Sequence, residues 1–298
     1  MTFTTLINSA AVAARLGDPA FAIVDCRYDL NDEAWGGREY RAGHIPGAVY
    51  AHLGHDLAGA KTARSGRHPL PDPAALGRFF GRLGIASDVQ VAAYDQDTGM
   101  YASRLWWLLR WLGHEAVAVL DGGFARWLAE GRPTSADQET RSAREFIGSA
   151  RSEMSVGADE VMKLSQSRDW RLVDARAPER YRGDSEPIDN IAGHIPGAAN
   201  HFFKGNLGED GAFRSPEDLR RRLDEVVGNV PMERVVCYCG SGVTACHNLL
   251  ALEHAGLRGA KLYPGSWSEW SSDPSRPIEK GETKRGVQEK GRRTGPAI

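Results

Sequence analysis

The chain has little of what would make it a disulfide scaffold, a membrane protein or a polyanion binder. Only four of its 298 residues are cysteine, and Cys237, Cys239 and Cys246 fall within ten positions of one another, with Cys26 far upstream. That clustering is not the spread of a disulfide framework. A structural zinc site draws on two separated knuckles, and His247, next to Cys246, points elsewhere on a helix. No metal or other cofactor is therefore expected, and a reducing compartment, the cytoplasm, is. No stretch reaches the roughly 18 apolar residues that span a bilayer. Met1 to Leu16 lacks a positively charged start leading into an apolar run, so no secretory signal is expected either. A net charge of −2 gives no basic footprint for nucleic acid or for an anionic membrane.

What is present is an ordinary globular composition, 41% hydrophobic and 26% charged, in a chain longer than most single domains. The most informative residue is Cys239, in Val235-Val236-Cys237-Tyr238-Cys239-Gly240-Ser241-Gly242-Val243-Thr244-Ala245. A β-branched run that ends at a cysteine, turns through two glycines and enters a helix aims unpaired backbone N–H groups at the sulfur. Such a nest favours negative charge and lowers a thiol pKa from about 8.5 into the range of roughly 3.5–7.5, where thiolate dominates. Gly240 and Gly242 permit the tight path. An average cysteine in a Val-rich strand is core, and that describes Cys237; Cys239 alone reaches the turn.

The chain also repeats itself. Ala42-Gly43-His44-Ile45-Pro46-Gly47-Ala48 recurs 150 residues on as Ala192-Gly193-His194-Ile195-Pro196-Gly197-Ala198, each preceded by a strand pattern ending in an acid, Ile23-Val24-Asp25 and Leu172-Val173-Asp174. Leu120-Asp121-Gly122-Gly123-Phe124-Ala125-Arg126-Trp127 is echoed by Tyr263-Pro264-Gly265-Ser266-Trp267-Ser268-Glu269-Trp270. The expected organisation is two copies of one domain, residues 1–135 and 154–278. Residues 136–153 would be a surface linker, and 279–298 a mobile charged tail without function. Short apolar strands alternating with helical patterns give an α/β fold, each copy a mainly parallel sheet flanked by helices. Strands are expected at 89–94, 116–120, 235–238 and 260–263, and helices at 102–112 and 245–254. Active sites of such sheets lie beyond the carboxyl ends of the strands, where Cys239 falls.

The paired Gly-His-Ile-Pro-Gly-Ala motifs, the Cys-Gly-Ser-Gly-Val-Thr loop and the Tyr-Pro-Gly-Ser-Trp-Ser-Glu-Trp ending resemble the tandem-domain rhodanese-like sulfurtransferases, over nearly the whole chain. The resemblance implies two rhodanese-like domains, the first inactive and the second catalytic, with the active site in the cleft between them. Asp95 stands where the second copy has Cys239, and an aspartate cannot carry a sulfane sulfur. In the family mechanism the thiolate takes the outer sulfur of a small-molecule donor, a cysteine persulfide remains, and a thiol acceptor such as thioredoxin, or cyanide, removes it. Splitting one transfer into two is what covalent catalysis offers. Gly240, Ser241, Gly242, Val243 and Thr244 would form the persulfide loop.

The resemblance also bears on the donor. Thiosulfate-preferring members carry two cations after the cysteine; here Gly240 and Ser241 are neutral and small, as in 3-mercaptopyruvate sulfurtransferases. Arg180 matches the family's substrate arginine, and a guanidinium suits a carboxylate. The second arginine that often follows a Glu-Pro pair is missing, because Glu186-Pro187 leads into Ile188 and Asp189. The serine–histidine–acid relay of that subfamily would map to Ser241 and His44, with Trp35 at the acid position. For His44 both a cleft-facing role and a structural one remain open; for His194 the structural role is expected.

Thiosulfate:cyanide transfer is the alternative main activity. A cysteine-dependent phosphatase needs an arginine six residues after the cysteine, and position 245 is alanine. A non-catalytic persulfide carrier would be labelled at Cys239 without turnover.

Overall fold

The computed structural model describes residues 2–282. The first half contains β1 (Leu6–Ile7), α1 (Ser9–Ala13), β2 (Phe21–Asp25), α2 (Trp35–Ala42), β3 (Ala48–Tyr50), α3 (Pro73–Arg82), β4 (Gln90–Tyr94), α4 (Ala102–Trp111), β5 (Val117–Leu120) and α5 (Gly123–Ala129). The second half contains α6 (Ala158–Leu164), β6 (Arg171–Asp174), α7 (Pro178–Arg182), β7 (Ala199–Asn200), α8 (Pro216–Val227), β8 (Val235–Tyr238), α9 (Thr244–His254), β9 (Lys261–Leu262) and α10 (Ser266–Trp270). The strands and helices expected from pattern lie within a residue or so of these bounds.

Each half builds its own all-parallel sheet, in the orders β1-β5-β4-β2-β3 and β7-β6-β8-β9. The counterpart of β1 in the second half is reduced to a single bridge, Ser155 with Leu262. β2 and β4 are buried at every position, as parallel strands covered on both faces must be. α4 and α9, the helices that follow the central strands, are buried nearly throughout because each packs on its own sheet and the two pack on each other. One apolar core therefore runs through both halves, from Val24 and Trp107 to Val235 and Leu250. A smaller cluster covers the outer face of each sheet, around Trp127 in one and Trp267 and Trp270 in the other.

The segment between the halves is laid along the first one. Arg144 N–H donates to the Gly81 carbonyl, the Arg141 guanidinium to the Phe21 and Pro19 carbonyls, and Phe146 packs on Phe80. The expected mobile tail needs a correction at its start. Glu279 pairs through its backbone with His194, its carboxylate accepts from Gly197 N–H, and Gly281 N–H donates to the Arg182 carbonyl. Those bonds satisfy the Gly-His-Ile-Pro-Gly turn, as Ser135 and Glu139 do in the first half. Positions 283–298 of the tail lie outside the described residues.

Candidate active site

Cys239 is the first residue past β8, and the chain from there to α9 wraps around its sulfur. Gly242 N–H donates to Cys239 Sγ at 3.1 Å. The amides of Gly240, Ser241, Val243 and Thr244 have no acceptor among the described residues, and they open the N-terminal end of the eleven-residue helix α9. Gly242 has φ of +77°, and a Cβ there would lie 2.5 Å from the Pro264 carbonyl oxygen. Only glycine fits that combination of left-handed backbone and close approach. α10 braces the loop from behind: Trp267 N–H donates to the Cys239 carbonyl, Ser268 N–H to that of Gly240, and Ser266 Oγ accepts from Cys239 N–H. Ala245, where a phosphatase would need its arginine, is buried in the first turn of α9.

The first half shows the same turn with its cradle filled. Asp95 follows β4, and its carboxylate accepts from the amides of Asp97, Gly99, Tyr101 and Ala102. Burial pushes its carboxyl up to about 6 against the pull of those amides. Phe124 and Ala125 brace this loop as Trp267 and Ser268 brace the other. A side-chain anion therefore sits where the second half presents a thiol.

The remaining thiols are enclosed. Cys237 is fully buried, and burial pushes it far above the ordinary thiol range. Cys246 Sγ lies 3.2 Å from the Gly242 carbonyl, and burial raises it to about 12. All four cysteines are free.

Arg180, on α7, reaches the loop. A Cβ placed on Gly240 would lie 3.7 Å from each of its terminal nitrogens and 2.8 Å from Nη2 of Arg67, which comes from the first half. Both guanidiniums are held by carboxylates. Arg180 donates from Nε and Nη2 to Glu186 and from Nη2 to Asp189 Oδ2 at 3.3 Å, and Arg67 Nη1 is paired with Asp189 Oδ1. Against burial that would raise it, the Arg180 guanidinium and the amides of Asp189 and Ile188 hold Glu186 below the usual carboxylate range. Burial moves Asp189 the other way, upward, despite its two arginines. Lys61 and Arg67 of the first half and Ile188, Asp189 and Ser268 of the second line a cleft of about 250 Å³ here.

His44 does not face this cleft. Its ring is fully buried, stacked on Tyr40 at 4.1 Å, with Nδ1 2.6 Å from the Tyr40 carbonyl. His194 repeats the arrangement on Tyr181 at 3.8 Å. The same turn in both halves, one of which carries Asp95 instead of the loop thiol, marks both histidines as braces.

The histidine that does meet the loop is His68, whose Nδ1 and the Ser241 hydroxyl share a hydrogen bond of 2.8 Å. Burial, reinforced by Arg104, Arg67 and Lys61, lowers His68 to about 3, so its imidazole is neutral. Arg104 itself is completely buried, donating to the carbonyls of Leu57, His68, Pro69 and Gly242 and so tying α4 to the thiol loop. Arg67, His68 and Arg104 were missed by sequence reasoning. Gly66-Arg67-His68-Pro69-Leu70-Pro71 reads as a polar, proline-punctuated surface loop, and a cation beside a histidine is its sole chemical signal.

Comparison with known proteins bears on the chain as a whole. The rhodanese-like domain family matches residues 8–130 and again 157–273. A Pseudomonas aeruginosa protein named as a probable 3-mercaptopyruvate sulfurtransferase is 44% identical over 284 residues, covering 95% of this chain and 100% of its own. The thiosulfate sulfurtransferase of Rattus norvegicus is 34% identical, with 85% of each chain covered. Among solved structures, the 3-mercaptopyruvate sulfurtransferase of Leishmania major superposes with a TM-score of 0.78 at 30% identity, over 90% of this chain and 74% of its own.

Proposed function

The chain belongs to the rhodanese-like family and is a sulfurtransferase, and from that premise we propose that it moves sulfur from 3-mercaptopyruvate to a thiol acceptor or cyanide through a persulfide on Cys239. The observation that carries the reading is the Cys239 sulfur under the Gly242 amide, with the Arg180 guanidinium beside Gly240.

The Cys239 thiolate attacks the donor sulfur, the S–S bond forms as the C–S bond breaks, and the electron pair leaves on the pyruvate enolate. The enolate takes the proton of the former donor thiol and departs as pyruvate, leaving a persulfide anion. The free loop amides and the end of α9 hold that anion. Acceptor thiolate then attacks the outer sulfur and returns Cys239 to thiolate. Arg180 receives the donor carboxylate. Ser241, held by neutral His68, is placed to donate a hydrogen bond to the enolate oxygen and to pass the proton. That pair favours a carbonyl donor over thiosulfate, whose sulfite leaving group needs no proton relay.

No described helix is long and apolar enough to cross a membrane, and the four free thiols suit a reducing compartment, so the cytoplasm is the proposed location and a dithiol protein such as thioredoxin a fitting acceptor.

The test is kcat/KM for 3-mercaptopyruvate and for thiosulfate side by side, with cyanide as acceptor, on wild type and Cys239→Ser. Expected is a large preference for 3-mercaptopyruvate that vanishes in the variant, together with one added sulfur in the intact mass of donor-treated wild type. A thiosulfate preference would overturn the donor assignment, and turnover surviving the substitution would overturn the mechanism.

A further inference from the structure

We propose that Arg67 is a second donor-binding cation, so that the donor carboxylate is held between one guanidinium from each half of the chain. The inference rests on the donor reading above.

Four observations carry it. The backbone of Arg67 is fixed to the opposite half, its N–H donating to Ser268 Oγ at 3.0 Å, and Gly66 packs so closely that a Cβ there would meet the Gly265 carbonyl at 2.4 Å. From that anchor the side chain extends over Gly240, the residue next to the nucleophile, closer to it than Arg180 does. Its Nε is buried without an acceptor, an unpartnered donor at the thiol loop. Finally, Asp189 bridges the two arginines, one oxygen on each. A carboxylate between these guanidiniums is thus an arrangement the site already supports.

The sequence explains why the cation arrives from the first half. Position 189, in the stretch after Glu186-Pro187, is an aspartate in this chain, and it recruits Arg67 across the cleft. Glu186 and Asp189 return two negative charges to the two arginines. The arginine pair then carries no net charge of its own to draw a dianion, and its selectivity lies in the bidentate geometry that a carboxylate matches. Asp189 keeps both guanidiniums oriented before the donor binds and gives up part of its hold when the donor carboxylate enters.

A plain strut between the halves would use the same ion pair, and the experiment separates the two. KM and kcat are measured for 3-mercaptopyruvate and for thiosulfate at fixed cyanide, and KM for cyanide at fixed donor, on wild type, Arg67→Met, Asp189→Asn and the double variant, with thermal melts of each. The double variant leaves no unpaired buried carboxylate, so it remains informative if Arg67→Met folds poorly. Expected is a rise in donor KM of roughly 10- to 100-fold in both Arg67 variants, as for loss of a charge-assisted bond, with kcat and the KM for cyanide near wild type. Asp189→Asn alone should lower the donor KM. An unchanged donor KM in the folded double variant, or an equal loss of kcat on 3-mercaptopyruvate and thiosulfate with a lowered melting temperature, would overturn the inference. Wild type that turns over thiosulfate and not 3-mercaptopyruvate would instead overturn the donor reading beneath it.

Discussion

His68 and Ser241 stand 173 positions apart in the chain and share a hydrogen bond of 2.8 Å beside the thiol loop. Neither half contains the pair alone, which gives the first half, whose own loop carries Asp95 in place of a thiol, a chemical part in the site as well as a wall. If the pair serves the enolate, His68→Ala and Ser241→Ala should each lower kcat on 3-mercaptopyruvate by about 100-fold, a usual share for a positioned proton donor. Thiosulfate turnover should fall far less, and the double variant should be little worse than either single one, as for residues acting as a unit. Equal losses on both donors would refute the assignment.

The two loop glycines are predicted to fail differently. Gly242→Ala forces a side chain into left-handed backbone against the Pro264 carbonyl, a rigid neighbour, and should destabilise the protein by more than about 1 kcal/mol while exposing Cys239 to faster alkylation. Gly240→Ala would meet the far end of Arg67, which can swing away. That variant should melt near wild type and show its defect as a raised donor KM. The same loss of stability in both would mean that the loop is a uniform brace.

Much of this arrangement is legible in the sequence because it is local or repeated. The strand–Cys239–glycine–helix order needs only neighbours, and the duplicated Gly-His-Ile-Pro-Gly-Ala turns announce two copies. What escapes is what the halves make together. Arg67 and His68 sit in a run without periodicity, and nothing in it signals burial against Ser241, Ser268 and Asp189. His44 misleads for the opposite reason: its motif is conspicuous, yet the repeat at His194 is itself the sign of a structural turn. Glu279 escapes because a charged terminal segment reads as solvated, while its carboxylate closes the His194 turn.

His44→Ala and His194→Ala are accordingly expected to behave alike. Each removes a ring stacked on a tyrosine and a bond to that tyrosine's carbonyl, at a cost of about 1–3 kcal/mol. Urea melts should show similar losses, with the donor KM unchanged in both. A KM effect confined to His44→Ala would restore it to the cleft.

Burial also makes stability depend on pH. His68 and His247 are both pushed down to about 3, while a histidine in the unfolded chain titrates near 6.5. Between those values the unfolded chain binds the proton and the folded protein does not, so the contribution of these two histidines to stability rises with pH from about 3 to about 6.5 and is flat above. Each histidine contributes a slope of about 1.4 kcal/mol per pH unit across that window. His247 bridges the Thr98 carbonyl and Asn206, away from the proposed chemistry, and His247→Gln should remove its share of the slope. Urea midpoints at pH about 7 and about 5 measure it by difference, which cancels the carboxylates common to both proteins. Wild type and His247→Gln losing the same stability over that interval would show that His247 takes up its proton without unfolding.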